Sequence, residues 1–118
     1  MVYNSIFKKR KLQIILKMSK TKVIFNQEKL DVSSEIMRAL AHPLRLRILE
    51  FIDRNGIINV NKIYNTLKIE QSITSQHLKI MRLAGVIDGF RDGKYVHYTI
   101  NYDVVDRAQK AVNRFLGK

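Results

Sequence analysis

Cysteine is absent from the 118 residues, so this chain can build neither a disulfide nor a thiolate metal site. The absence is compatible with a reducing compartment, and a cytoplasmic location is the expectation. Tryptophan is missing too, and with one proline and five glycines nothing reads as a linker, a repeat or a low-complexity tract, so a second domain is not expected. No apolar run reaches the roughly 18 residues of a spanning helix. The stretch from Leu12 to Leu16 is too short for a bilayer and weak as the core of a secretory signal, and across residues 1–32 lysine outnumbers arginine and serines are few, against a transit peptide. No membrane partner is expected. Acids are scarce: 22 Lys and Arg against 10 Asp and Glu leave a net charge of +12, which favours a polyanionic partner, nucleic acid first.

The excess is uneven. Lys8, Lys9, Arg10, Lys11, Lys17, Lys20 and Lys22 all precede the first acid, Glu28. Residues 1–32 therefore read as a basic N-terminal arm, and three accounts of it stand open. It is an upstream extension with Met18 as the usual initiator, an arm that folds on DNA, or an extra helix against the rest of the protein. At 118 residues and 46% hydrophobic the chain can close a modest core that oligomerisation would enlarge, with 33–118 as its single domain.

The stretch from Gln71 to Ile100 carries the most information. An apolar stripe through Thr74, either His77 or Leu78, Met81 and Ala84 has helical spacing. Its polar counterpart is Ser72, Ser75, Gln76, Lys79 and Arg82. Serine and glutamine are short or semi-flexible groups that can meet base edges, whereas Lys79 and Arg82 lie where phosphates are the expected partners. Gly85 ends the helix. Beyond it the period changes from about 3.6 to 2, the mark of strands, and Asp92-Gly93 predicts a two-residue type I′ hairpin turn. Arg91 and Lys94 flank that tip as two cations placed for phosphate. A solvated polar helix face and a solubilising hairpin tip are the bland readings of each element alone; their adjacency favours a DNA-reading helix with a wing.

Upstream, Ile36, Met37 and Leu40 form one apolar face, interrupted at Ala41-His42-Pro43, where proline suits the start of a new helix. Leu44, Ile48, Phe51 and Ile52 continue at helical spacing to Asn55-Gly56. Ile57 to Val60 is short and β-prone, enough for a third strand. Asn61 to Leu67 reads as a short helix, with Lys68-Ile69-Glu70 as the turn of a helix-turn-helix. The fold class expected is mainly α with a small β-hairpin, a winged helix-turn-helix.

ALAHPLRLRILEFI at 39–52, QSITSQHLKIMRLAGVI at 71–87 and DGKYVHYTI at 92–100 together resemble the ArsR/SmtB family of dimeric winged-helix repressors, over about residues 33–116. The resemblance implies a homodimer built on the first and last helices, binding double-stranded DNA at an inverted repeat and released by an effector, with a small molecule of unknown identity as one candidate. It puts DNA contacts on Gln71, Ser72, Ser75 and Gln76, with His77 and Leu78 packing the helix onto the core. Lys79, Arg91 and Lys94 complete the expected DNA-binding set. Ile36, Met37, Val105, Ala108, Val112 and Phe115 are the expected dimerisation residues, the last four on an apolar stripe of the terminal helix.

This chain departs from the family pattern in three places. Glu70 stands where the family usually has a capping serine. Ile73 occupies an outward position that is commonly polar, and either touches a thymine methyl or widens the apolar stripe. The sensing residues are the third departure: without cysteine, with His42, His77 and His97 far apart in sequence, and with Asp103 and Asp106 alone on the terminal helix, no metal site and no cofactor is expected. No catalytic constellation is legible, so an enzyme is not expected. A winged-helix protein-interaction module without base reading is the competing class. A basic membrane-surface protein, resting on the arm alone, is the third.

Overall fold

The computed structural model describes residues 8–14 and 23–117. Residues 8–14 are helical and exposed. The rest of the N-terminal arm through Lys22, including Met18, lies outside the described residues. Five helices and three strands follow. Helix α1 (Gln27–Leu40) is capped by the Asn26 side chain, which accepts from the Lys29 amide at 2.9 Å. The helix thus starts at Gln27 and crosses the expected boundary between residues 32 and 33.

Helix α2 (Pro43–Asn55) begins where the lone proline predicts, with His42 as N-cap, its Nδ1 accepting from the Leu44 amide at 3.1 Å. Strand β1 (Ile58–Asn59) is shorter than the β-prone stretch, because the Asn59 side chain accepts from the Lys62 amide at 2.8 Å and starts helix α3 (Val60–Leu67) directly behind it. Lys68, at φ +55°, turns the chain into α4 (Gln71–Leu83). Strands β2 (Ile87–Asp92) and β3 (Tyr95–Ile100) and helix α5 (Tyr102–Phe115) complete the order. The sheet is antiparallel, β1-β3-β2, with Ile58 opposite Tyr98 and Ile87 opposite Ile100.

One correction concerns the hairpin. Asp92 pairs with Tyr95, so the loop is Gly93-Lys94 and not Asp92-Gly93. Gly93 is at φ +65° while Lys94 keeps a negative φ, the pattern of a type II′ turn. The type I′ alternative would force positive φ on Asp92 as well; this register asks it of a glycine alone.

The core joins all these parts. Ile48 and Ile52 of α2, Ile63 of α3, Leu78 and Met81 of α4, and Val86 and Ile87 at the start of the wing are fully buried. Because α4 contributes from one face only, the opposite face is left free in a fixed orientation beside the hairpin.

Candidate nucleic-acid interface

Helix α4 is fastened by Thr74, Leu78 and Met81, each fully buried. Burial of the Thr74 hydroxyl is offset by a 3.0 Å bond to the Glu70 carbonyl. Leu78, not His77, therefore carries the stripe. Gln71, Ser72, Ser75, Gln76 and Lys79 are all exposed, as is Arg82. Arg91 and Lys94 are exposed on the wing. Among the described residues the only ion pair is Glu50–Arg54 at 4.0 Å, so no carboxylate within that reach neutralises Lys79, Arg82, Arg91 or Lys94.

The helix is joined to the wing through a close approach. Gly89 lies opposite Tyr98, and a Cβ on it would come within 3.0 Å of the tyrosine ring and 3.5 Å of the Arg82 stem. A larger residue there would require the Tyr98 ring to give by a few tenths of an ångström. On the other sheet face Phe90 stacks on its cross-strand partner His97, ring centroids 5.5 Å apart.

A second attachment was not legible in the sequence. Arg45 of α2 donates from Nε to the Ala39 carbonyl at 2.7 Å and from Nη2 to the Arg38 carbonyl at 3.0 Å, while its Nη1 lies 3.3 Å from His77 Nδ1. His42 stands beside His77, centroids 4.8 Å apart. Two histidines 35 positions apart thus meet and tie α4 to the α1–α2 junction. Arg47 likewise reaches the Leu67 carbonyl at 3.3 Å, holding the turn before α4. No group of three or more potential metal ligands occurs among the described residues.

Burial, then the neighbouring His42 and Arg45, lower the His77 pKa below the ordinary histidine value. Folding therefore prefers the neutral ring. The stability gained is complete above about pH 6.5 and is lost as the pH falls below it, toward the lowered folded-state value. Urea unfolding between pH 7.5 and 5 should show the wild type losing stability more steeply than His77→Gln; equal slopes would contradict this assignment.

Glu70 is the N-cap of α4, yet its side chain makes no capping bond. The anion favours the helix dipole and opposes a nearby phosphate. Glu70→Ser is expected to restore a cap worth about 1 kcal/mol while forfeiting a dipole contribution of about 0.3–1 kcal/mol, leaving the thermal midpoint nearly unchanged. Binding to duplex DNA at low salt should tighten. Titrations of both proteins that coincide would show Glu70 to be remote from phosphate.

The expected dimerisation residues also gather. Met37, Val105, Ala108 and Val112 line an apolar groove with Leu40, Leu46 and Leu49, and Ile36 lies in the adjoining groove with Met37 and Val104. Ala108 is only 5% exposed and forms the floor rather than the rim. Val112 is 42% exposed, and Phe115, at the far end of α5, is 89% exposed.

Comparison with known proteins gives concordant matches. A family model for bacterial regulatory proteins of the arsR family matches residues 42–88, from the cap of α2 into the wing. The transcriptional repressor PagR of Bacillus anthracis is 36% identical over 84 residues, covering 71% of this chain and 84% of that protein. Its crystal structure matches with a TM-score of 0.62 at 34% identity, over 75% of this chain and 100% of that one. The HTH-type transcriptional repressor SmtB of Mycobacterium tuberculosis is 39% identical over 74 residues, 63% of this chain; the chain spans 54% of that protein's length. The solution structure of Mb0332 from Mycobacterium bovis, a homodimeric winged helix-turn-helix DNA-binding domain, matches with a TM-score of 0.66 over 82% of this chain and 93% of that one. At 23% identity, that match bears on the fold alone.

Proposed function

The chain belongs to the arsR family of bacterial regulatory proteins, and from that premise we propose that it is a transcriptional repressor, a homodimer reading an inverted-repeat operator through α4. The observation that carries the reading is the outer face of α4. Gln71, Ser72, Ser75 and Gln76 stand clear of the core while Thr74, Leu78 and Met81 hold the helix rigid. Amide and hydroxyl groups on such a helix can bond base edges in the major groove, where each base pair presents a distinct pattern. Lys79 and the wing residues Arg91 and Lys94 are placed for the phosphate backbone, which adds affinity without sequence information.

Two copies of α4 related by a two-fold axis must enter successive major grooves about 34–36 Å apart. The apolar grooves along α1 and α5 supply the surface on which a second copy would fix that distance. Without cysteine in these 118 residues, release by a thiolate-bound metal is outside the reading; a small organic effector, or control by expression level alone, is preferred. Selection of bound duplexes from a random pool at a stated salt concentration should return an imperfect inverted repeat with half-sites one helical turn apart. Recovery of a single unrepeated motif would refute the dimeric reading, and recovery of no motif would favour an interaction module.

A further inference from the structure

We infer that Ile73 reads a thymine methyl group and is a specificity determinant of the DNA-reading helix; the inference rests on the reading of α4 proposed above. Ile73 lies in the first turn of α4, between Ser72 and the buried Thr74. It is 38% exposed and is not among the residues packed on the core. The adjacent pair therefore has its polarity inverted: the threonine occupies the interior position and the isoleucine faces outward. The hydroxyl of Thr74 is satisfied by the Glu70 carbonyl, which makes its burial tolerable. At 38% exposed, Ile73 lies outside the buried cluster that Leu78 and Met81 anchor, and part of its alkyl group is open to a ligand.

An alkyl side chain in a major groove has one apolar feature to meet, the C5-methyl of thymine; every other base edge offers hydrogen-bonding groups that an alkyl group leaves unpaired. Isoleucine is suited to that contact because its β-branched side chain is stiff in a helix and loses little rotamer freedom on ordering. Two further apolar residues of α4, Ile80 and Leu83, are also exposed, but they line a groove with Glu35, Arg38 and Ala39 of α1 that does not include Ile73. Ile73 is thus the apolar group at the end of the helix where Gln71, Ser72 and Gln76 stand.

The test uses the full chain and the duplex recovered by selection, with each thymine replaced in turn by deoxyuridine, which removes only the methyl. Loss of one buried methyl-sized group corresponds to about a fourfold loss of affinity per half-site, and about fifteenfold when the symmetry-related pair is replaced. The wild type is expected to show that loss at one symmetry-related thymine pair. Ile73→Ser should bind the thymine duplex more weakly and be indifferent to the same replacement, whereas Ile73→Val should retain the sensitivity. Matching thermal midpoints for the three proteins establish that the fold is common to them. A wild type that prefers its operator but is blind to every methyl, or an Ile73→Ser variant with undiminished sensitivity, overturns this inference alone. A wild type with no preference for the operator over a scrambled duplex overturns it together with the reading on which it rests.

Discussion

Val112→Asp is expected to convert the protein from dimer to monomer at micromolar concentration and to weaken operator binding by about 10² to 10⁴-fold. Val112 lies 42% exposed in the apolar groove that Met37, Leu40, Leu46, Leu49 and Val105 line. Folding of one protomer leaves Leu46 and Val112 of this groove, with Phe115 and Leu116 beyond it, exposed to water. A second copy packed across a two-fold axis would cover them, and a carboxylate introduced there would enter the interface twice, in a groove whose lining residues include no cation, a burial that costs several kcal/mol per ion. Because the position is exposed in the protomer, the wing and α4 should fold as before. The large loss at the operator follows from linkage: two half-sites bound by joined helices gain an effective concentration that separate protomers lack. Sedimentation velocity and operator titration on the same preparation decide the matter. A dimer that survives the substitution, or a monomer that binds the operator undiminished, would remove α1 and α5 from the interface.

Substitutions on the helix and on the wing should differ in kind. Gln71→Ala or Gln76→Ala is expected to cost about 1–3 kcal/mol at the operator and to relax discrimination at particular base pairs, with little change on scrambled DNA. Arg91→Ala or Lys94→Ala should weaken both duplexes alike and reduce the salt slope by roughly one for each phosphate no longer neutralised. The structure supports this division, since both glutamines are exposed on the free face of α4 and the two cations lie at the end of the hairpin. Asp92 sits between those cations in sequence, so the tip is less basic than Arg91 and Lys94 alone suggest. Titrations at several salt concentrations separate the two classes; helix variants that lose equally on operator and scrambled duplexes would transfer the advantage to an interaction module.

Much of this architecture was legible because local rules and the fold agree. The stripe through Thr74 and Met81 marks the buried side of α4, Pro43 marks the start of α2, and the short β-prone run before α3 supplies the third strand. The hairpin was displaced by one residue because Gly93 can serve as the second residue of one turn or the first of another. Only the pairing of Asp92 with Tyr95 distinguishes them. The start of α1 was hidden because the basic arm and the apolar Val23-Ile24-Phe25 before it carry no helical period, and Asn26 as a cap is the local signal of the boundary. The junction of His42, Arg45 and His77 was invisible for a different reason: residues 35 positions apart carry no shared period, and only the packing of α4 onto the α1–α2 corner brings them together. The outward placement of Ile73 was legible from periodicity, and it is 38% exposed; what its side chain touches there was not.

The central claim, that α4 reads sequence, is tested most directly by the affinity of the wild-type protein for its selected operator and for a scrambled duplex of equal length, measured at the same physiological salt. A preference of at least roughly 10³-fold for the operator, the lower end for specific DNA-binding proteins, is the predicted result. Equal affinities, falling together as salt is raised, would contradict it.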